Sequence, residues 1–198
     1  MTLKFVSSCA IQKGGSVKGI VFTEFIELVE EIFSPEIADA IIEESDLASG
    51  GAYTSVLSYD HNEMIKLVTL LSEKTKIPVC NLLKTYGRRL CARFAILYPD
   101  FFTGVSSTLD FLETVENHIH VEVRKLYVDA EVPSFQTERV SGEVMNMLYS
   151  SLRPFADLAE GLIIGTADHF GEKIDLERED WVDGDRYCAR FSLNCRKE

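Results

Sequence analysis

VPSFQTERVSGEVMNMLYSSL, residues 132–152, marks the point at which the chain changes from a helical to an extended pattern. Two runs rich in strand-forming residues flank Ser141-Gly142, a dipeptide that favours a tight turn. Farther along, KIDLERE and RYCARFSL flank Asp183-Gly184 in the same way. The pattern predicts two β-hairpins and, from them, a four-stranded antiparallel sheet.

A helix is predicted between the two hairpins. The sequence PFADLAEGLIIGTADHFG, residues 154–171, begins with Pro154, which suits a first helical turn. It closes with Gly171, a residue type that often ends helices by adopting a left-handed conformation. We expect this helix to cover the sheet.

The chain before the first hairpin has a helical pattern from Val17 to about Tyr127. In the first predicted helix, Phe22, Phe25 and Val29 recur at steps of three and four residues, which places them on one face. Further helices are expected where a start signal precedes an apolar run: at Pro35, at the capping segment 60–63, between Pro78 and Pro99, and after Ser107.

These patterns predict an α+β fold with a helical N-terminal lobe at about 17–127 and a sheet-containing lobe, with covering helices, at about 128–198. The chain has no internal repeat or linker, so 17–198 is predicted to be a single domain. Residues 1–16 are polar and aperiodic. The codons for Lys13-Gly14-Gly15 can form a ribosome-binding sequence, and Val17 could then be the natural start. Residues 1–16 are therefore predicted to be a non-native extension. The alternative is a disordered N-terminal tail.

Composition excludes several classes of function. The 198 residues are 46% hydrophobic and carry a net charge of −12, which repels the phosphates that a nucleic-acid-binding protein must neutralise. Anionic membrane surfaces are excluded as partners for the same reason. The chain has no apolar run long enough for a bilayer span or a signal peptide, and its five cysteines include no CxxC pair. We therefore expect a protein of the cytoplasm, a reducing compartment.

Common catalytic motifs such as GxSxG, HExxH and Walker A are absent from the sequence. The segment YSSLR offers a different chemistry, because the two-residue period of a strand puts Tyr149, Ser151 and Arg153 on one face. Two hydroxyls and a guanidinium can bind paired carboxylates or a phosphate. The alternative is a strand end with ordinary exposed polar residues.

The helix predicted after Ser107 carries two of the four histidines, His118 and His120. Imidazole is a common ligand of haem iron and of other metals. Both side chains border the apolar stripe of this helix, so the residues alone do not separate a metal ligand from a solvated or core-packed histidine.

The pattern Tyr149-x-Ser151-x-Arg153, with VKGIVFTEF near the start and a histidine helix leading into VPSF at 132–135, resembles the H-NOX family of haem nitric-oxide/oxygen binding domains. This family includes the haem domain of soluble guanylate cyclase. The resemblance extends over about 17–194 and implies haem b bound between the two lobes.

The resemblance also implies roles for single residues. In the family a tyrosine, a serine and an arginine bind the haem propionates, which here are Tyr149, Ser151 and Arg153. The proximal histidine lies thirteen residues before a proline packed under the haem, which makes His120 the iron ligand and Pro133 that proline.

The opposite face of the haem governs which gas binds. Oxygen-binding members place a tyrosine nine residues after the propionate-binding tyrosine and support it with a tryptophan and an asparagine. The corresponding residues here are Leu158, Phe25 and Leu90, and Val21 is expected on the same side. The resemblance therefore implies an apolar pocket that selects nitric oxide, and also CO, against O₂. By residue type alone, core packing is the better interpretation of these residues, and both roles are compatible because a pocket wall is also part of the core.

The resemblance implies a sensor rather than an enzyme. Nitric oxide at ferrous haem would weaken or break the bond to His120, the lobes would shift, and a separate histidine kinase or cyclic-di-GMP enzyme would respond. Nothing in the sequence demands more than a monomer.

Three alternatives remain. An O₂ or redox sensor of the same fold would need a hydrogen-bond donor such as Tyr86 or Tyr98. A haem enzyme, such as a peroxidase or NO dioxygenase, would need an acid–base group in the distal pocket. A haem-free interaction module is the third. Zinc binding is not expected, because His169 and Cys188 are two ligands without the other expected positions.

Overall fold

Residues 15–197 are described by the computed structural model, and they form helices and two antiparallel sheets. The first half contains β1 Ser16–Lys18, α1 Gly19–Ile32, α2 Pro35–Glu44, β2 Ser58–Asp60, α3 His61–Thr75 and α4 Val79–Leu97. A 3-10 turn at Pro99–Phe102 leads to α5 Thr108–Thr114, a π-helical turn at Val115–Ile119 and α6 His120–Leu126. The rest comprises β3 Ser134–Arg139, β4 Val144–Ser151, α7 Ala156–Phe170, β5 Glu172–Asp183 and β6 Arg186–Lys197. The predicted α+β class is confirmed.

The larger sheet has the strand order β3-β4-β6-β5 and is antiparallel throughout, which confirms both predicted hairpins. Strand β4 lies in the interior of the sheet, where Tyr149 faces Phe135 on β3 and Ala189 on β6. Burial alternates strictly along β4, as the two-residue period requires. Its buried positions are Met145, Met147, Tyr149 and Ser151.

A second, two-stranded sheet was not expected from the sequence. Strands β1 and β2 pair with Val17 opposite Tyr59, and each is only three residues long. The first helix consequently begins at Gly19 rather than at Val17. Gly19 is required there, because a Cβ atom at this position would lie 1.8 Å from the carbonyl oxygen of Thr54.

The predicted domain boundary falls at this small sheet. Ser16 belongs to β1 and pairs with Asp60, so it is part of the folded structure. The prediction for residues 1–14 lies outside the described residues, and the assignment of 17–198 to one domain stays a prediction.

The predicted start signals of helices α3 and α7 differ in detail from the structure. Asp60 caps α3 by accepting the backbone N–H of Asn62, but Glu63 does not complete a capping box. The Glu63 carboxylate instead accepts the backbone N–H and hydroxyl of Ser49 and the hydroxyl of Tyr53. Helix α7 begins at Ala156, two residues after the proline at 154.

The buried apolar residues form two clusters. The first, called the helical core here, is built from α1, α2, α3 and α4 with Phe155. The second is built from the inner face of the larger sheet with α5 and α7. Helices α4 and α7 pack closely because Gly161 has no side chain. A Cβ atom at Gly161 would lie 2.2 Å from the carbonyl oxygen of Lys84. Among the described residues, no helix is both long and apolar enough to cross a lipid bilayer.

Candidate cofactor site

The two histidines on the predicted long helix differ in their surroundings. The helix is not continuous, because the π-helical turn Val115–Ile119 separates α5 from α6 and His120 is the first residue of α6. His118 is exposed and its ring meets the edge of Phe101, with centroids 6.2 Å apart. The side chain of His120 is only 12% exposed. The structure therefore distinguishes the two residues that the sequence left equivalent.

The ring of His120 is held by a carboxylate on the preceding turn. Its Nδ1 lies 3.2 Å from Oε2 of Glu116, and within residues 15–197 its Nε2 makes no hydrogen bond. Burial lowers the pKa of His120 and outweighs the opposing effect of Glu116. Neutral imidazole is the form that binds a metal through a ring nitrogen.

Glu116 is ionised in this setting even though burial by itself would raise its pKa. Its carboxylate accepts the backbone N–H of Phe135 at 3.0 Å and the guanidinium of Arg124 at 3.1 Å, in addition to His120. These donors together lower the pKa of Glu116 below its ordinary value. A charged acceptor at Nδ1 directs the opposite nitrogen of His120 toward a ligand position.

The three predicted donors of the YSSLR segment, which are Tyr149, Ser151 and Arg153, are all buried, so the alternative of an exposed strand end is wrong. Tyr149 and Ser151 lie on the inner face of β4, as the strand period predicted. Arg153 lies beyond the end of β4 and is oriented by its neighbours. Its backbone N–H donates to the Ser151 hydroxyl at 3.1 Å, and its carbonyl accepts the Tyr149 hydroxyl at 3.2 Å.

The Arg153 guanidinium joins the end of β4 to two distant segments. It donates to the backbone carbonyls of Ser16 and Glu131, the latter at 2.5 Å, and lies 3.7 Å from the Glu131 carboxylate. The side chain is 6% exposed, and burial lowers its pKa, although Glu131 and Tyr149 oppose that effect. A guanidinium group binds carboxylates through paired hydrogen bonds.

Phe135 connects the histidine to the polar residues. Its ring centroid lies 5.7 Å from that of His120 and 5.6 Å from that of Tyr149. Pro133 is half-buried two residues before Phe135, immediately before β3 begins. The sequence-predicted residues His120, Pro133 and Tyr149 thus occupy one neighbourhood around Phe135.

The four predicted apolar pocket residues belong to the helical core. Phe25 and Leu90 are fully buried, whereas Val21 and Leu158 are partly buried against the same cluster. Tyr86 also lies among them, with its ring centroid 5.2 Å from that of Phe25 and the two rings nearly perpendicular. Its hydroxyl donates to the backbone carbonyl of Val21, so this phenol already has an acceptor inside the core.

The donor set fits a haem group. An imidazole with its Nε2 available suits haem iron, and a buried guanidinium with two hydroxyls suits carboxylates. Tyr149 and the Arg153 guanidinium donate to backbone carbonyls in this structure, so they would exchange these acceptors for a bound carboxylate. Each part of the set has a ring close to Phe135, His120 in the first and Tyr149 in the second.

The two residues considered as zinc ligands, His169 and Cys188, have other surroundings. His169 packs against the rings of Phe102 and Phe170, and the Cys188 thiol faces the hydroxyl of Ser150 at 3.6 Å. Within the described residues, no three His, Cys, Asp or Glu side chains are grouped as a metal site. That zinc is not bound stays a prediction.

Sequence reasoning missed two residues of this neighbourhood, Glu116 and Phe135. Glu116 lies four residues before His120, a spacing that brings side chains together on a helix, so this signal was present in the sequence. Phe135 was noted only as part of the segment after the histidine helix. Its role as a link between His120 and Tyr149 depends on the fold, because 14 residues of chain separate it from Tyr149 while the β3–β4 register places them opposite each other.

Comparison with known proteins gives a consistent result. A family model described as Haem-NO-binding matches residues 18–178. The crystal structure of the Fe(II) unliganded H-NOX protein from K. algicida is 36% identical, with 92% of this chain and 98% of that chain covered and a TM-score of 0.85. The solution structure of the H-NOX from Shewanella woodyi in the Fe(II)CO state is also 36% identical, with 90% and 94% covered and a TM-score of 0.76.

A more distant match shares the fold. The H-NOX protein from S. oneidensis in the Fe(II)NO ligation state is 22% identical and has a TM-score of 0.83, with 91% of this chain and 100% of that chain covered. No curated protein matches the sequence.

Proposed function

The chain belongs to the family of Haem-NO-binding (H-NOX) domains, and we propose that it is a sensor that binds nitric oxide at a ferrous haem held by His120. The observation that carries this proposal is the buried imidazole of His120, whose Nδ1 faces Glu116 and whose Nε2 is available within the described structure.

We propose that different residues of the site hold different parts of haem b. When bound, the haem would supply a ferrous iron that binds diatomic gases. His120 would bind the haem iron, and Tyr149, Ser151 and Arg153 would hold the propionate carboxylates. Pro133 would pack against the haem on the side of His120. The burial of Arg153, with its nearest carboxylate 3.7 Å away, supports the assignment of the propionate site.

Selection of the gas would depend on the apolar residues of the helical core. Val21, Phe25, Leu90 and Leu158 offer no hydrogen-bond donor to a bound ligand, whereas bound O₂ is held best by such a donor. Tyr86 does not fill this role, because its hydroxyl donates to the Val21 carbonyl. These contacts support nitric oxide and CO as ligands over O₂. They also weigh against the haem-enzyme alternative, since none of the four apolar side chains can donate or accept a proton.

The signal would leave the site through the histidine helix. Release of His120 from the iron would free α6, which joins α5 through the π-helical turn and β3 through the loop that follows it. π-helical turns are often found at functional sites, because the extra residue strains the regular ladder. We propose that the lobes then shift and control a histidine kinase, or a cyclic-di-GMP enzyme, in the cytoplasm. The protein would act as a monomer and catalyse no reaction itself.

The first test is the visible absorption spectrum of the purified ferrous protein, recorded before and after exposure to air and then to nitric oxide. We expect a five-coordinate histidine-ligated spectrum that air leaves unchanged and nitric oxide shifts. A stable oxygen complex would refute the apolar pocket.

The matched variants are His120→Ala and His118→Ala. We expect the His120 variant to bind haem only with added imidazole, and to bind nitric oxide without controlling its partner. The His118 variant should keep the native spectrum, because His118 is exposed. Equal spectra for the two variants would refute the assignment of His120.

A further inference from the structure

The geometry points to Glu116 as a positioning residue that orients the ring of His120, sets the strength of its bond to iron, and couples the ring to strand β3. The inference rests on the proposed function, because His120 must be the iron ligand for Glu116 to act through it.

The Glu116 carboxylate accepts hydrogen bonds from three separate parts of the structure. Its Oε2 lies 3.2 Å from Nδ1 of His120 and 3.0 Å from the backbone nitrogen of Phe135, and its Oε1 lies 3.1 Å from the guanidinium of Arg124. The three donors belong to the start of α6, the next turn of α6 and the second residue of β3. One carboxylate therefore fixes the histidine relative to both ends of the loop between α6 and β3.

The π-helical turn places this carboxylate. The backbone N–H of His120 donates to the carbonyl of Val115, five residues earlier, instead of to Glu116, four residues earlier. The backbone thus shifts by one residue while the side chains of Glu116 and His120 remain in contact. A regular α-helix over the same residues would turn the imidazole to a different direction.

The chemistry follows from the acceptor at Nδ1. A carboxylate there keeps the proton on Nδ1, leaves Nε2 for the metal, and makes the imidazole a more basic ligand. Arg124 shares the same carboxylate and draws negative charge away from the histidine. Glu116 and Arg124 should therefore act on the iron–histidine bond in opposite directions.

The same carboxylate links the ligand to the sheet. When His120 moves, Glu116 would follow it and pull on the backbone N–H of Phe135. The Phe135 ring also contacts His120 and Tyr149. A movement of His120 would therefore reach Phe135 through its side chain as well as through its backbone. Strand β3 lies at an edge of the sheet, where it has one strand neighbour and can shift more easily than an interior strand.

The test compares Glu116→Gln, Arg124→Gln and a matched control by resonance Raman spectroscopy of the ferrous protein. Glu116→Gln keeps the size of the side chain but removes its charge, and should lower the iron–histidine stretching frequency. It should also release haem to an acceptor protein roughly 10-fold faster, as is usual for loss of such a partner. Arg124→Gln should raise the frequency.

The control is Glu122→Gln on the same helix. Glu122 pairs with Lys125 and makes no contact with His120, so its removal should leave frequency and haem release unchanged. A wild-type protein without an iron–histidine band would refute the proposed function itself. A normal wild-type band that none of the variants shifts, or that Glu116→Gln and Arg124→Gln shift in the same direction, would overturn the role of Glu116. If Glu116→Gln fails to fold, Arg124→Gln still decides, because an unchanged or lowered frequency contradicts the inference.

Discussion

The helical core and the 127–131 loop are held by different forces. The core buries apolar side chains completely, among them Phe22, Phe25 and Leu71. The loop follows α6 and is attached to β1 and β2 by polar contacts, most of them exposed. Apolar burial is not screened by salt and does not depend on the charge of the side chains, whereas exposed polar contacts are weak and easily exchanged with water. The comparison indicates that the end of the histidine helix is the more easily released region.

The contacts of the loop centre on two acidic residues. Asp129 accepts the Lys18 ammonium at 2.8 Å and the Ser58 hydroxyl at 2.7 Å. Glu131 accepts the backbone N–H of Ser16 at 3.0 Å, and Lys18 also lies 4.5 Å from the centre of the Tyr127 ring. The loop is therefore anchored to the small sheet formed by β1 and β2.

The largest expected effect is in the helical core. Phe25→Ala should lower the free energy of unfolding by about 3–5 kcal/mol, because it removes a fully buried ring and leaves a cavity. Urea denaturation of the haem-free protein measures this. The control is Ile32→Ala on the same helix, a half-exposed side chain that should cost about 0.5 kcal/mol or less. An equal decrease in the free energy of unfolding for the two variants would contradict the conclusion that burial in the helical core stabilises the fold.

The second effect concerns the contact between α4 and α7. Gly161→Ala should destabilise by about 1–3 kcal/mol, because the new methyl group would meet the Lys84 carbonyl and force the helices apart. Gly142→Ala, in the turn between β3 and β4, is the control, since a Cβ there has open space. Thermal unfolding of both variants gives the comparison, and a neutral Gly161→Ala would show that the helices can separate without cost.

A smaller effect is expected at the loop. Asp129→Asn should speed amide hydrogen exchange across 127–131 while leaving the exchange of α1 and α4 unchanged, because only the loop loses contacts. Hydrogen exchange followed by mass spectrometry measures both regions in one experiment. High salt should reproduce part of the effect in the wild-type protein. Unchanged hydrogen exchange in the loop would contradict the conclusion that the contacts of Asp129 hold the loop in place.

The smallest effect is the response of the loop to acid. Hydrogen bonds from Lys18 and Ser58 lower the pKa of Asp129 from 3.8 to about 2. A carboxylate with a depressed pKa stabilises the folded state above its ordinary pKa, and this contribution is lost as the pH falls through the folded value. The loop should therefore stay closed down to about pH 4 and open between pH 4 and 2. Carbon-detected NMR titration of Asp129 measures this, and Lys18→Met should move its pKa back toward 3.8.

The hairpins illustrate what local pattern can predict. Ser141-Gly142 and Asp183-Gly184 each stand between two runs of strand-forming residues, and both hairpins were found, although the second turn is Gly184-Asp185 because Asp183 still pairs with Arg186. Gly184 has the positive φ of 60° that makes glycine useful at a turn. These features were predictable because turn, strand and register depend on residues within a few positions of one another.

The small sheet shows where local pattern fails. Strands β1 and β2 are three residues long and are separated by two helices, so no periodicity reveals them. The π-helical turn escaped prediction for a related reason. The segment 107–127 has a continuous apolar stripe, and one extra residue within a helix changes the hydrogen-bond ladder without changing the residue types.

By itself, the sequence determined the fold class, the two hairpins and the family to which the chain belongs, because each depends on short motifs and local spacing. Only the tertiary structure decided which histidine is buried, that Glu116 rather than solvent faces its ring, and that Arg153 donates to Ser16 and Glu131. Burial and partner choice depend on segments as far apart as residues 16 and 153. Packing brings such groups together, and it is packing that sets their exposure, their charge and the partners they can bind.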